Sequence, residues 1–307
     1  MIVLEPITIT SFTSSNVPEN DETEWDSTTS YVVGDLCMVV AEHKIYECQV
    51  DNLNKYPPDY LDDGDPDADP VVPNTWKEVS ATNKWKMFDN KTQSPTSQAD
   101  DITVSFTPGV LFNGVALLGV SAETVTITVT DPDDGEVYKE EVEMLDYTAI
   151  IDYYQWFFYP MVKKTVVVKL DLPAYSEATI EIQLTDSGET VELGELIIGT
   201  QKDIGDAVFG TSVGLADYSQ KSVDSDTGEV TLEEGIYNNT VDFRIEMDSN
   251  KVYDVRRFLA QYRATPVLYV GHEDYEATVI YGFYKDLSIV ISNVAISACS
   301  LEVEELS

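Results

Sequence analysis

The chain has 307 residues, 43% of them hydrophobic, which is enough to bury two or three cores and too many for a disordered polymer. Its 18 Lys and Arg stand against 56 Asp and Glu, and the net charge of −38 argues against direct binding to nucleic-acid phosphates or to anionic lipid. Three cysteines and two histidines, none at metal-ligand spacing, leave no multi-histidine zinc site and no even disulfide framework.

The opening MIVLEPITIT reads as a strand running from Ile2 to Phe12, and it lacks the basic and long apolar regions of a secretory leader. No run reaches the roughly 18 apolar residues of a membrane span, so a soluble protein made in the cytoplasm is expected. After the polar link SSNVPENDE, residues from Trp25 to Trp76 read as a small β module. TSYVVGDLCMVV is a turn feeding a strand, and HKIYECQV is its partner. Cys37 and Cys48 either face each other across that hairpin or remain free thiols. Residues 51–75, rich in Asp and Pro, form a long loop without regular structure.

From about residue 85 short strands follow one another: ITVSFTP, GVALLGVS, TVTITVTD, EVYKEEVEM, TVVVKLDLP, ATIEIQLTD and VELGELIIG. The period-two alternation of TVTITVT and TIEIQLT predicts half-buried antiparallel strands. Asp131-Pro132-Asp133-Asp134-Gly135 and Asp186-Ser187-Gly188 read as the turns between them, and the whole reads as a sandwich. Past Gly199 the strands resume with GEVTLEEG, NTVDFRIEMD, PVLYVGH, ATVIYGFYKDLSIVIS and ACSLEVEEL. One helix lies among them: Val252, Val255, Leu259 and Tyr262 recur at helical spacing, Asp248 or Ser249 can cap it, and Pro266 follows its end. The expected fold is mostly β: antiparallel sandwiches in several domains, a small N-terminal β module, and one amphipathic helix in the C-terminal unit. The expected divisions are 1–83, 84–199 and 200–307.

The sequence contains no P-loop, dinucleotide fingerprint or zincin motif, and neither histidine sits in a triad-like context, so no catalytic residue is assigned. The acidic run Asp62, Asp63, Asp65, Asp67, Asp69 has carboxylates at close spacing. An EF-hand loop needs Gly sixth and Glu twelfth, whereas here Gly64 is third and Glu78 lies outside. The run is either a solvated loop or a calcium site of another kind, with Asp63, Asp65, Asp67 and Asp69 as ligands; no other cofactor is expected. The segment from Asp152 to Tyr159, DYYQWFFY, is either a loop packed over one end of the sandwich or an exposed platform for sugar rings or a partner protein. Trp25, Tyr31, Tyr46 and Trp76 pose the same alternative for the small module. Trp25, Tyr31, Trp76, Trp85 and Trp156 are the candidate carbohydrate-stacking residues. Arg256 and Arg257, two of only four arginines, would project from the helix and either dock on an acidic partner or pair with local carboxylates such as Asp254.

Two stretches carry a family resemblance. Tyr31, Gly34-Asp35, Tyr46-Glu47-Cys48 and the closing Pro73 to Trp76 resemble the small chitin-binding-type carbohydrate modules of bacterial chitinases, which also occur on phage virion proteins. KWKMFDN from Lys84, followed by ITVSFTPG, GVALLGVSA and ELGELIIG, resembles a galactose-binding-like (discoidin-type) jelly roll of tailed-phage structural proteins. IGDAVFGTSVGLADYSQK, RRFLAQYRATPVLYVGHEDYEATVIYGFYKDLSI and CSLEVEEL resemble the C-terminal part of the same family. The resemblance implies a non-enzymatic structural protein of a tailed-phage virion, in the tail or baseplate. Its expected partners are other tail proteins, further copies of itself and fibres. The alternative it implies is adsorption to host-surface polysaccharide. Neither nucleic acid nor membrane insertion is expected.

Overall fold

The structure, a computed structural model, describes residues 1–307 except 62–74, 148–149, 160–161, 171, 224–229, 274 and 307. The fold is mostly β and antiparallel throughout its named sheets. In chain order the elements are β1 (Ile2–Pro6), then β2 (Leu36–Val39), β3 (Lys44–Cys48) and β4 (Trp76–Ala81) of the small module. The sandwich follows with β5 (Thr96–Phe106), β6 (Gly114–Leu118), β7 (Thr124–Asp131), β8 (Gly135–Glu143), a short helix α1 (Tyr153–Phe158), β9 (Val166–Lys169), β10 (Thr179–Leu193) and β11 (Glu195–Asp203). The last third holds β12 (Asp206–Ala207), β13 (Ser212–Asp217), β14 (Gln220–Val223), β15 (Val230–Glu233), β16 (Tyr237–Asp248), α2 (Val252–Gln261), β17 (Val267–Val270), β18 (Val279–Val290) and β19 (Ile296–Glu305).

Among the described residues, one ten-stranded sheet runs β9-β6-β11-β1-β17-β18-β19-β16-β12, with β13 also paired to β16. The N-terminal strand β1 therefore sits in the middle of that sheet, antiparallel to β11 on one side and to β17 on the other. Its two faces do different things. Val3 packs under α2 with Val267, Tyr269 and Ile280, whereas Leu4 points the opposite way, onto Ala116, Ile197 and Leu268. This is the period-two geometry of a strand buried on both sides.

A five-stranded sheet, β8-β7-β10-β5 with the short edge strand Ser14–Ser15, covers the β9-β6-β11 end of the long one. Their inner faces share a core in which Val125, Ile127 and Val129 of β7 and Ile180, Ile182 and Leu184 of β10 meet Val115, Leu117, Leu196 and Ile198. The alternation in TVTITVT thus marks a half-buried strand, as expected. Asp186-Ser187-Gly188 does not end a strand. β10 continues through it to Leu193, and the register with β5 shifts between Thr185 and Thr190. Asp100 and Gly188 take positive φ there (67° and 86°), and the Gly188 N–H donates to Asp100 Oδ1 at 2.8 Å. The turn signal marks a bulge that bends two long paired strands.

On the other half of the same face lies α2, which buries Val255, Phe258 and Leu259 and half-buries Val252 and Tyr262. Fully burying three such side chains contributes roughly 1.5–3 kcal/mol each. The helix begins two or three residues later than a cap at Ser249 or Asp248 would place it. Lys251 is the N-cap and has no side-chain capping bond. Ser249 Oγ instead bonds Ser297 Oγ (2.7 Å) and the Asn293 carbonyl (2.9 Å), tying the helix entry to the β18–β19 turn. Phe258, which the helical spacing omitted, is a core residue. The core under α2 includes Met1 and Val3 together with β16 before the helix and β17 to β19 after it.

The segment between β17 and β18 folds back toward the far edge of the long sheet. Glu276 accepts the N–H groups of Thr165 (2.9 Å) and Val166 (3.1 Å) beside β9. The sheet is therefore curled so that its first and sixth strands are latched through one carboxylate.

Candidate functional site

The small module is built around its aromatics. Trp76 is fully buried, its Nε1–H donating to the Lys55 carbonyl (3.0 Å), and its ring lies edge-on to Tyr31 at 5.1 Å. Tyr31 is buried and its hydroxyl accepts the Asp26 N–H. Neither residue offers a stacking face, so both are corrected from candidate sugar contacts to core. Trp25 is half-buried, edge-on to Tyr56, and Trp85 is half-buried, stacked on His43 at 4.1 Å and edge-on to Phe12. Cys37 and Cys48 are buried free thiols, and burial pushes the Cys37 thiol up to about 12.

Trp156 differs. It lies on α1, a six-residue helix with no buried residue. A helix this short has little stability of its own. Two bonds hold it: Asp152 Oδ1, at the N-cap, accepts the Gln155 N–H (2.8 Å), and Gln155 Oε1 accepts the N–H of Ile151, the residue before the cap (2.7 Å). The first is an ordinary N-cap bond, and the second ties the incoming chain to the first turn. At the base, Leu145 and Asp146 pair with Lys163 and Val162, and Lys163 Nζ bonds the nearly buried Asp186 carboxylate of the β10 bulge. The bulge misread as a turn is thus the anchor of the aromatic segment.

On this support, Tyr153 is 86% exposed, Phe157 74% and Trp156 46%, with Tyr154, Phe158 and Tyr159 also exposed. Trp156 stacks against Tyr147 with centroids 5.3 Å apart and planes 17° apart, which fixes its ring orientation. Ile150, Ile151, Asp152, Tyr153, Trp156 and Phe157 enclose a shallow, mostly apolar hollow of about 520 Å³. So much uncovered aromatic surface in one place is unusual for a protein surface and makes α1 the candidate site. Of the five proposed stacking residues, the structure leaves Trp156 exposed. Tyr153 and Phe157 join it, and the run DYYQWFFY is the signal for them; the half-buried Tyr147, which stacks on Trp156, lies outside that run.

A second hollow, of about 500 Å³, lies where the sandwich meets the last third of the chain. Its polar groups are turned on one another. Glu305 accepts from Thr92 Oγ1 (2.9 Å) and Asn239 Nδ2 (2.6 Å), and Gln93 Nε2 donates to the Tyr237 carbonyl (2.9 Å). It is a bonded seam joining the two halves. Close by, Glu195 is 3% exposed, and burial, with Asp89 beside it, pushes its carboxyl up to about 9. Burial likewise raises Asp89. The N–H groups of Asn90 and Lys91 face Glu195, while Glu195 Oε2 and Asp89 Oδ2 have no hydrogen-bond partner among the described residues.

Arg256 and Arg257 are exposed on α2. Arg257 lies 3.3 Å from Asp254 with both side chains more than half exposed, and 5.8 Å above the Tyr253 ring. Such a surface pair contributes little. Arg256 has no ion-pair partner among the described residues. The candidate calcium ligands Asp63, Asp65, Asp67 and Asp69 lie outside the described residues. Among those described, no group of three or more His, Cys, Asp and Glu side chains could hold a metal ion, and no helix is long and apolar enough to cross a membrane.

No protein-family model matches the chain, and no curated protein matches it. Among solved structures, it is similar to a selenomethionine-labelled mutant of chitosan-binding module 1 from a chitosanase/glucanase of Paenibacillus sp. IK-5. The identity is 13%, the match covers 38% of this chain and 82% of the module, and the TM-score is 0.25, too low to carry an argument about fold or ligand.

Proposed function

We propose that this protein is a non-catalytic polysaccharide-binding protein, and that α1 is where it takes glycan. The observation that carries the reading is the exposed ring of Trp156, held in orientation by Tyr147 beside a hollow that Tyr153 and Phe157 extend. An aromatic face of this kind suits the apolar face of a pyranose ring, and Asp152 at the rim supplies a hydrogen-bond acceptor. The net charge of −38 favours neutral or cationic chains over sulfated or uronic ones. The resemblance of the sequence to tailed-phage structural proteins supports a place in a virion tail or baseplate, where such a surface would serve attachment to a host polysaccharide. The carboxylates of the second hollow are engaged by backbone, hydroxyl and amide donors, which supports binding without catalysis.

The test is titration of neutral, cationic and anionic polysaccharides against the full chain and against Trp156→Ala and Phe157→Ala. Loss of binding by tenfold or more with an unchanged melting temperature is expected, since neither side chain is buried. Binding that survives both substitutions removes α1 as the site, and binding to none of the polysaccharides removes the reading.

A further inference from the structure

The strands β13, β14 and β15 form an arm with no core of its own. β13 pairs only with the first half of β16, and β14 and β15 make a two-stranded ribbon outside both large sheets. Val213 and Leu215 are registered opposite Val241 and Asn239, so they extend the face on which Val241 is buried, yet both are more than half exposed. Leu232 on the ribbon is 74% exposed, and Val230 and Ile236 are exposed as well. An isolated two-stranded ribbon is at best marginal in water, and this one keeps its aliphatic side chains uncovered.

The charges on and around the arm have a counterpart elsewhere on the molecule. Asp217, Glu233 and Glu234 are exposed on it, against Lys221 alone among the described residues 212–237. In a chain with four arginines, Arg256, Arg257 and Arg263 stand on or just past α2, all exposed, and Arg257 lies over a Tyr253 ring that is itself largely exposed. Arg256 has no ion-pair partner among the described residues, Arg263 Nε donates to the Ala260 carbonyl, and Arg257 makes the weak pair with Asp254. At physiological ionic strength charges interact over about 8 Å, so contacts between patches count for more than the net charge of two approaching chains.

We infer that the arm docks on α2 of a second copy of this chain, its carboxylates meeting Arg256, Arg257 and Arg263 and its aliphatic face covering Tyr253. The two surfaces are different patches of one molecule, so the contact is head-to-tail, and it closes into a ring or continues as a filament rather than stopping at a symmetric dimer. Neither patch overlaps α1, and the inference stands whether or not α1 takes glycan.

Sedimentation of the full chain over a concentration series tests it. Assemblies larger than a monomer are expected for the natural sequence. Arg256→Glu/Arg257→Glu/Arg263→Glu on one chain, or Asp217→Lys/Glu233→Lys/Glu234→Lys on another, should each reduce the protein to monomer that stays folded, with its circular dichroism unchanged. Mixing the two variants, or placing all six changes on one chain, should restore association, because acid and base have then exchanged places. A natural chain that stays monomeric at every concentration, or one whose assembly ignores both sets of reversals, overturns the inference. Assembly lost with either set and not restored by their combination would show that these charges do not face one another, and overturns it equally.

Discussion

Replacing Glu195 by Gln should stabilise this protein, and by an amount that depends on pH. The carboxyl is 3% exposed, one oxygen has no partner among the described residues, and Asp89 adds a like charge beside it. These place its folded value at about 9, against 4.5 for the free group. Below pH 4.5 the group is protonated whether the chain is folded or not, and contributes no pH dependence. Between 4.5 and 9 the folded state holds a proton that the unfolded state has released, so stability falls as pH rises across that window. At pH 7 the difference is about 2.5 pH units, or about 3 kcal/mol, at 1.36 kcal/mol per unit. Glutamine keeps the shape and an acceptor for the Asn90 and Lys91 N–H groups, and it has no proton to lose. Thermal unfolding of Glu195→Gln and of the natural chain at pH 4, 6 and 8 measures this. The variant should match the natural chain at pH 4 and melt roughly 5–10 °C higher at pH 7–8. Asp89→Asn should move the window of the natural carboxyl downward. A Glu195→Gln protein that melts lower than the natural one at pH 8 would show that the fold holds this carboxylate ionised, and the burial argument would fail.

Two further substitutions test the packing. Leu259→Ala empties a fully buried position under α2 and should cost about 2–5 kcal/mol in denaturant unfolding; a cost below half of that would mean the helix is not seated as described. Gly199→Ala sets a methyl 1.8 Å from the Glu5 carbonyl oxygen. It should therefore push β1 off β11 and cost about 1–3 kcal/mol or more, and unchanged stability would contradict that strand pairing.

How far the sequence led depended on whether a residue's partners were near it in the chain. The strand β7 was legible because TVTITVT alternates within itself, and α2 because Val255 and Leu259 recur at one helical turn. Phe258 was missed because its burial comes from the width of the face that Met1, Val3 and β16 to β19 present to the helix. Asp186-Ser187-Gly188 carries turn chemistry, yet Asp100, more than eighty residues earlier in the chain, receives the Gly188 N–H and keeps the strand going. The same limit governed the site. All five candidate stacking residues are aromatic, and for Trp76 and Tyr31 the alternative of a small-module core holds, because the pairing of the strands at 36–39, 44–48 and 76–81 closes over them. DYYQWFFY stood out because so dense an aromatic run, held by its own Asp152 and Gln155, needs no distant partner to be a surface feature.

The position of β1 shows the consequence most fully. Nothing in IVLEP announces that Val3 and Leu4 enter different cores, because the information lies in β11 and β17, whose partner residues are Gly199–Asp203 and Leu268–Val270. Once β1 is placed between them, the long sheet is continuous across residue 200, inside β11, and the core under α2 depends on residues from the far end of the sequence. Glu5 accepts from Tyr262 beyond the end of α2, so the same strand also holds the C-terminal end of the helix that carries Arg256 and Arg257. Closing so long a loop is entropically costly, and the cost grows only slowly with length, so many contacts made together can offset it. The sandwich that anchors the aromatic helix and the unit that carries the arm and the arginines are therefore coupled by the Glu305 seam, by the Glu276 latch and, through both cores, by this five-residue strand. Loosening it should disturb both surfaces at once, and a substitution confined to either surface should leave the other in place.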